Sequence, residues 1–73
     1  MKAEGCEIRT PFIKLDSLLK LSGLVSTGGE GKILIQDGKI RVNGEICLQR
    51  GRKLRPGDKV EYDGREVEVT GGT

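Results

Sequence analysis

Apolar and polar residues change their spacing along this chain, and each change marks an element. From Cys6 to Thr10, "CEIRT" alternates, which predicts a short strand ending at Pro11. "IKLDSLLKLSGLV" then sets Leu15, Leu18 and Leu19 at helical spacing, with Leu21 and Leu24 less regular, and predicts a helix from about Leu15 to Ser22. Asp16 falls near its positive dipole end, and Gly23 follows the last turn as a stop. "STGGEGKILIQDGK" predicts a second helix. Thr27 and Glu30 have the spacing of a capping box, Ile33 and Leu34 are expected to face the core, and Gly38 ends the helix. Gly28, Gly29 and Gly31 lower its intrinsic propensity. Two readings of these glycines stay open: they bare the helix start so that a phosphate can approach its N–H groups, or they let the two helices pack closely.

Two hairpins follow. In "KIRVNGEIC", Asn43-Gly44 predicts a type I′ turn that sets Val42 against Glu45, Arg41 against Ile46 and Ile40 against Cys47. Ile40, Val42 and Cys47 then point inward and Arg41 outward. In "KVEYDGREVEV", Asp63-Gly64 makes the same turn and pairs Val60 with Val67. Val60, Val67 and Val69 are expected inside and Glu61, Glu66 and Glu68 outside, with Glu61 facing Glu66 as a like-charge pair. Between the hairpins, Pro56-Gly57 fits the centre of a type II turn, so the segment from Leu48 to Arg55 is held at both ends. The last residues, 71 to 73, read as a frayed tail on a single domain of residues 1–73 whose core runs from about 12 to 70.

At 73 residues there is room for one modest core, so a large catalytic cleft is not expected. No apolar run approaches the ~20 residues that span a bilayer, and the charged N-terminus lacks a secretory apolar region. The expected compartment is the cytoplasm. Histidine is absent, so the usual zinc ligand sets and Ser-His or Cys-His catalysis are excluded, and Cys6 and Cys47 are expected as free thiols. No metal, cofactor or catalytic residue is assigned. The pattern GxxxxGK[ST] does not occur either.

Charge changes the picture more than composition does. The net charge of +2 hides a polarised chain: residues 39–57 carry six basic residues and one acid, residues 58–73 two basic residues and five acids, and residues 1–38 are balanced. Arg50, Arg52, Lys53 and Arg55 crowd the segment between the hairpins, with Lys39 and Arg41 nearby. Such a distribution steers a polyanion to one side of a small domain. Phe12 and Tyr62, the only aromatic residues, are better placed as packing than as stacking platforms, so a nucleic-acid ligand would be read by backbone and shape.

The order "KLDSLLK", "GKIRVNG", "LRPGDKV", running from about Phe12 to Tyr62, resembles the S4-like RNA-binding domain. "TGGEGK" with "VNGE" and "QRGRKLRPGD" is similar to its short, stand-alone bacterial members. The resemblance implies an α+β fold, the αL motif, with two helices packed on a small, bent, mainly antiparallel sheet. It also implies contact with structured RNA, ribosomal or transfer, by a monomer associated with the ribosomal particle. Carried over by position, the contact residues are Lys14, Thr27, Gly28, Lys32, Lys39, Arg41 and Asn43, to which the basic segment adds Arg50, Arg52, Lys53 and Arg55. Many larger members have Ser-Arg where this chain has Thr27-Gly28, so contact there would lean on backbone N–H groups and Lys32. Asn43 also has a purely local explanation, since a type I′ turn requires positive φ. The competing class is a protein-interaction module that docks an acidic partner through the same basic segment.

Overall fold

The computed structural model describes residues 4–71. Its chain order is β1 (Glu4–Ile8), β2 (Ile13–Lys14), α1 (Leu15–Leu21), α2 (Gly28–Gln36), β3 (Arg41–Val42), β4 (Glu45–Ile46), β5 (Lys53–Leu54), β6 (Lys59–Tyr62) and β7 (Arg65–Gly71). The fold is α+β, as the resemblance implies. Five strands form a mixed sheet in the order β1-β7-β6-β3-β4, and β2 pairs with β5 in a separate two-stranded ladder. Among the described residues only the β1–β7 contact is parallel; these strands lie at opposite ends of the described chain, so no short hairpin constrains them to run antiparallel.

Both hairpins follow their turn chemistry. Asn43 (φ 53°) and Gly44 (φ 86°) occupy the left-handed region, as do Asp63 (φ 51°) and Gly64 (φ 79°). The register is the expected one: Val42 opposite Glu45, Val60 opposite Val67 and Glu61 opposite Glu66. The Cys47 N–H donates to the Ile40 carbonyl at 3.0 Å and extends the first hairpin by one step. At the type II turn, the Asp58 N–H closes onto the Arg55 carbonyl at 3.0 Å.

One core joins the layers. Leu15, Leu18 and Leu19 of α1, Ile35 of α2, Leu54 of β5 and the inward valines Val42, Val60, Val67 and Val69 are buried together with both cysteines. The helical period of α2 is met differently from the sequence reading. Ile35 and Gly31 are the buried positions, Leu34 is half-buried, and Ile33 is 60 % exposed. The helix is only nine residues long and begins with glycines, so its few apolar residues do not define the inward stripe unambiguously. It ends as read: Asp37 caps it, Gly38 takes φ 72°, and the Gly38 and Lys39 N–H groups return to the carbonyls of Ile35 and Leu34.

Two boundaries are corrected. The core begins before residue 12, since Cys6 and Ile8 of β1 are buried in it. Gly71 is no frayed end but the last residue of β7, paired with Ile8; Gly72 and Thr73 lie outside the described residues. At Gly71 φ is 83°, and a Cβ there would sit 2.5 Å from the Ile8 carbonyl oxygen. Gly71→Ala is therefore expected to destabilise the fold by about 1–2 kcal/mol, the cost of a strained backbone or of losing the last parallel pair. Thermal unfolding followed by circular dichroism measures it, and an unchanged midpoint would contradict the close approach.

Candidate nucleic-acid interface

The basic segment turns back at once after the first hairpin. Arg52 N–H closes on the Gln49 carbonyl at 3.1 Å, and the chain then enters β5, where Ile13 pairs with Leu54 and Lys14 with Lys53. Leu54 is wholly buried and anchors the segment to the core. Two more bonds fasten it to α1: the Leu15 N–H donates to the Arg52 carbonyl at 2.9 Å and the Asp16 N–H to the Arg50 carbonyl at 3.1 Å. These satisfy N–H groups that a helix start leaves without partners, which is why Lys14 precedes α1 with no side-chain cap. Here the sequence reading was incomplete. The segment is held in its middle as well as at its ends, with backbone directed inward and the Arg50, Arg52, Lys53 and Arg55 side chains exposed.

Lys14 and Lys53 are directly opposite in the ladder, and both are exposed. Like charges so placed oppose the pairing by a few tenths of a kcal/mol to about 1 kcal/mol. Lys53 Nζ lies 4.9 Å from the centroid of the Phe12 ring. Phe12 is thus a half-open platform for a cation rather than core packing, whereas Tyr62 does pack on the core. Among the described residues the one ion pair is Arg65 with Glu4, at 2.8 Å, so none of the basic-segment cations is matched by a carboxylate. Beside the ladder runs an open, mainly apolar groove lined by Ile13, Ser17, Lys20 and Leu21.

The remaining site candidates lie elsewhere. At α2, Thr27 Oγ1 accepts from the Glu30 N–H at 3.2 Å as the capping box requires, but Glu30 Oε1 reaches the Ser26 N–H, at 3.4 Å. Thr27 is therefore occupied as a cap. Gly28, Gly29 and Lys32 are exposed; a Cβ at Gly28 or Gly29 would meet nothing within 4 Å, and one at Gly31 only ordinary contacts with Val25 and Leu19. Close helix packing accordingly does not require these glycines. The connection from α1 brings the start of α2 to the C-terminal end of α1, whereas the basic segment caps its N-terminal end; seven residues separate the two by roughly 10 Å.

Lys39 and Arg41 share a shallow cleft on the outer face of the sheet with Glu61, Tyr62 and Asp63, and Arg41 is paired across the strands with Glu61. They stand apart from the cations of the basic segment, beside acidic neighbours on the sheet. The Asn43 side chain is engaged by Asp58 and Lys59 within the domain. The structure thus brings together Lys14, Arg50, Arg52 and Lys53, with Arg55 at the next turn. Spacing alone did not reveal that β2 and β5 pair.

Cys6 and Cys47 are free and buried, and burial pushes the Cys6 thiol up, away from the reactive thiolate. Among the described residues no group of three or more Cys, Asp or Glu side chains is placed to hold a metal ion, and no helix is long and apolar enough to cross a membrane.

The two helices, the β2–β5 ladder and the first hairpin all fall within the span of a family model. The model of the S4 domain matches residues 6–70, and the chain belongs to that family. It is 39 % identical over 62 residues to the "Probable ribosome maturation protein RlbA" of Bacillus subtilis (strain 168), covering 85 % of this chain and 87 % of that one. It is 34 % identical over 59 residues to the "Putative RNA-binding protein YbcJ" of Escherichia coli (strain K12), covering 81 % and 84 %. The solution structure of YbcJ from E. coli, described as revealing an αL motif involved in RNA-binding, superposes with a TM-score of 0.72 at 28 % identity, over 96 % of this chain and 90 % of that one.

The opposed lysines make a testable trade. Lys14→Glu turns a repulsive cross-strand pair into an attractive one and puts an acid at the start of α1, so it is expected to stabilise the fold by about 0.5–1 kcal/mol at low salt. Urea unfolding at low and high salt checks this. A loss of stability would show that the pair is not repulsive.

Proposed function

We propose that this chain binds structured RNA, ribosomal or transfer, as a monomeric, non-catalytic adaptor in the cytoplasm that associates with the ribosomal particle. The observation that carries the reading is the set of cations without an ion-pair partner on one rigid support. Lys14 and Lys53 are held opposite each other, and Arg50 and Arg52 project from a segment whose carbonyls are bonded to α1. A phosphate near this ladder removes a repulsion that the free protein bears, and the fixed backbone reduces the entropy lost on binding. Membership of the S4 domain family and the names of the two relatives support the same ligand. Arg55 extends the proposed contact surface, and Lys32 with the Gly28 N–H, beside Thr27, forms its outlying part. Lys39 and Arg41 border it, and their acidic neighbours restrict how closely a phosphate approaches.

The test is recovery and sequencing of RNA cross-linked to the chain in cells, with the Arg50, Arg52, Lys53 and Arg55 to alanine variant as control. Enrichment of a structured ribosomal or transfer RNA that vanishes in the variant is expected. In vitro, the same variant should lower the slope of log K against log salt by about 3, as expected for the loss of four phosphate contacts. RNA at background together with an acidic protein captured through these four residues would replace the reading with a protein-docking one.

A further inference from the structure

Asn43 and Asp58 form a hydrogen-bonded bracket that joins the two cation-bearing segments. Asn43 Oδ1 accepts from the Lys59 N–H at 3.0 Å, and Asn43 Nδ2 donates to Asp58 Oδ1 at 3.1 Å. The other carboxylate oxygen of Asp58 accepts from the Arg55 N–H at 2.8 Å. Backbone bonds run alongside, from the Asn43 N–H to the Lys59 carbonyl at 2.8 Å and from the Asp58 N–H to the Arg55 carbonyl at 3.0 Å. The tip of the first hairpin, whose stem carries Arg41, is thereby fixed to the end of the basic segment at Arg55.

Neither residue is explained by its local role alone. A type I′ turn needs positive φ at position 43, which glycine supplies as well, yet here both ends of the amide are engaged in contacts about fifteen residues away in sequence. A carboxylate three residues beyond Arg55 weakens attraction for a polyanion, so its position is unfavourable unless it does something else. Its two oxygens do: one fixes the Arg55 backbone and the other the hairpin tip.

We infer that Asn43 and Asp58 are positioning residues for the RNA-binding face, acting through Arg55 and the first hairpin rather than by contact with RNA. The inference rests on the RNA-binding reading and reassigns Asn43 from contact to support. Charge and position make opposite predictions here. Asp58→Ala raises the net charge from +2 to +3, so electrostatics alone would tighten binding to a polyanion.

The experiment measures binding of bulk bacterial ribosomal RNA to the full chain and to Asp58→Ala, Asp58→Asn and Asn43→Gly, below the unfolding transition of each. Asp58→Ala is expected to bind about tenfold more weakly despite its added charge, an effect of the order of one or two net hydrogen bonds. Asp58→Asn has the net charge of the alanine variant and keeps an acceptor for one of the two N–H donors while opposing an amide NH2 to the other, so it should recover only part of the loss. Asn43→Gly keeps both charge and positive φ and should lose about as much as Asp58→Ala; it carries the test if the alanine variant does not fold. Binding by Asp58→Ala as tight as or tighter than the unaltered chain, or an unaffected Asn43→Gly, overturns the inference. Failure of the unaltered chain to retain the RNA overturns the RNA-binding reading itself, which the variants alone would not do.

Discussion

The structure depends on a reciprocal arrangement of backbone hydrogen bonds at the start of α1. A seven-residue helix is too short to persist by itself, and its first N–H groups have no partners within it. The basic segment has the complementary problem, since its cations repel one another and its carbonyls need donors. Bonding Leu15 and Asp16 to the carbonyls of Arg52 and Arg50 meets both needs at once. With those carbonyls committed inward, the cationic side chains are left in water. Burial of Leu54, worth about 1.5–3 kcal/mol for a side chain of its kind, exceeds the repulsion between Lys14 and Lys53, so the ladder tolerates like charges face to face.

The same segregation extends over the rest of the surface. The outer face of the sheet carries Glu61 opposite Glu66, with Arg41 beside Glu61. A polyanion meets attraction at the ladder and a mixed or repulsive field at the sheet, so orientation follows from charge placement before any specific contact forms. The distribution along the chain already contained much of this polarity, because residues 39–57 include the basic segment along with the first hairpin, and most of 58–73 form β6 and β7.

Where local rules decide, the chain was legible. Asn43-Gly44 and Asp63-Gly64 determine turn type, register and therefore every inward residue of the two hairpins; Pro56-Gly57 and the Thr27 cap act over a few residues and were equally readable. What escaped depends on partners distant in sequence. The β2–β5 ladder has two residues in each strand, too few for a period, and the parallel β1–β7 pair joins opposite ends of the described chain. Gly71 looked like a tail because glycine carries no apolar signal, although its conformation is what lets the chain pass the Ile8 carbonyl. The inward face of α2 failed because adjacent Ile33, Leu34 and Ile35 fit more than one stripe. At the candidate site the residue types were legible and their grouping was not: Asn43 was visible as a turn residue, and its bond to Asp58, fifteen positions on, was not.

The two places where a phosphate could meet this domain are unequal. At α2, exposed glycines sacrifice about 1 kcal/mol each of helix propensity without a packing reason, which favours close approach of a ligand to the backbone. Yet Glu30 sits in the first turn with its carboxylate on the Ser26 N–H, so the positive end of the dipole already has an anion of its own. Lys32 is the only cation of that helix. At the ladder, four cations stand without an acid partner, and two are held against each other by the register. A phosphate would compete with Glu30 at the first place and relieve repulsion at the second. Charge placement therefore favours the ladder as the proposed seat of a polyanion, with the start of α2 as its proposed extension.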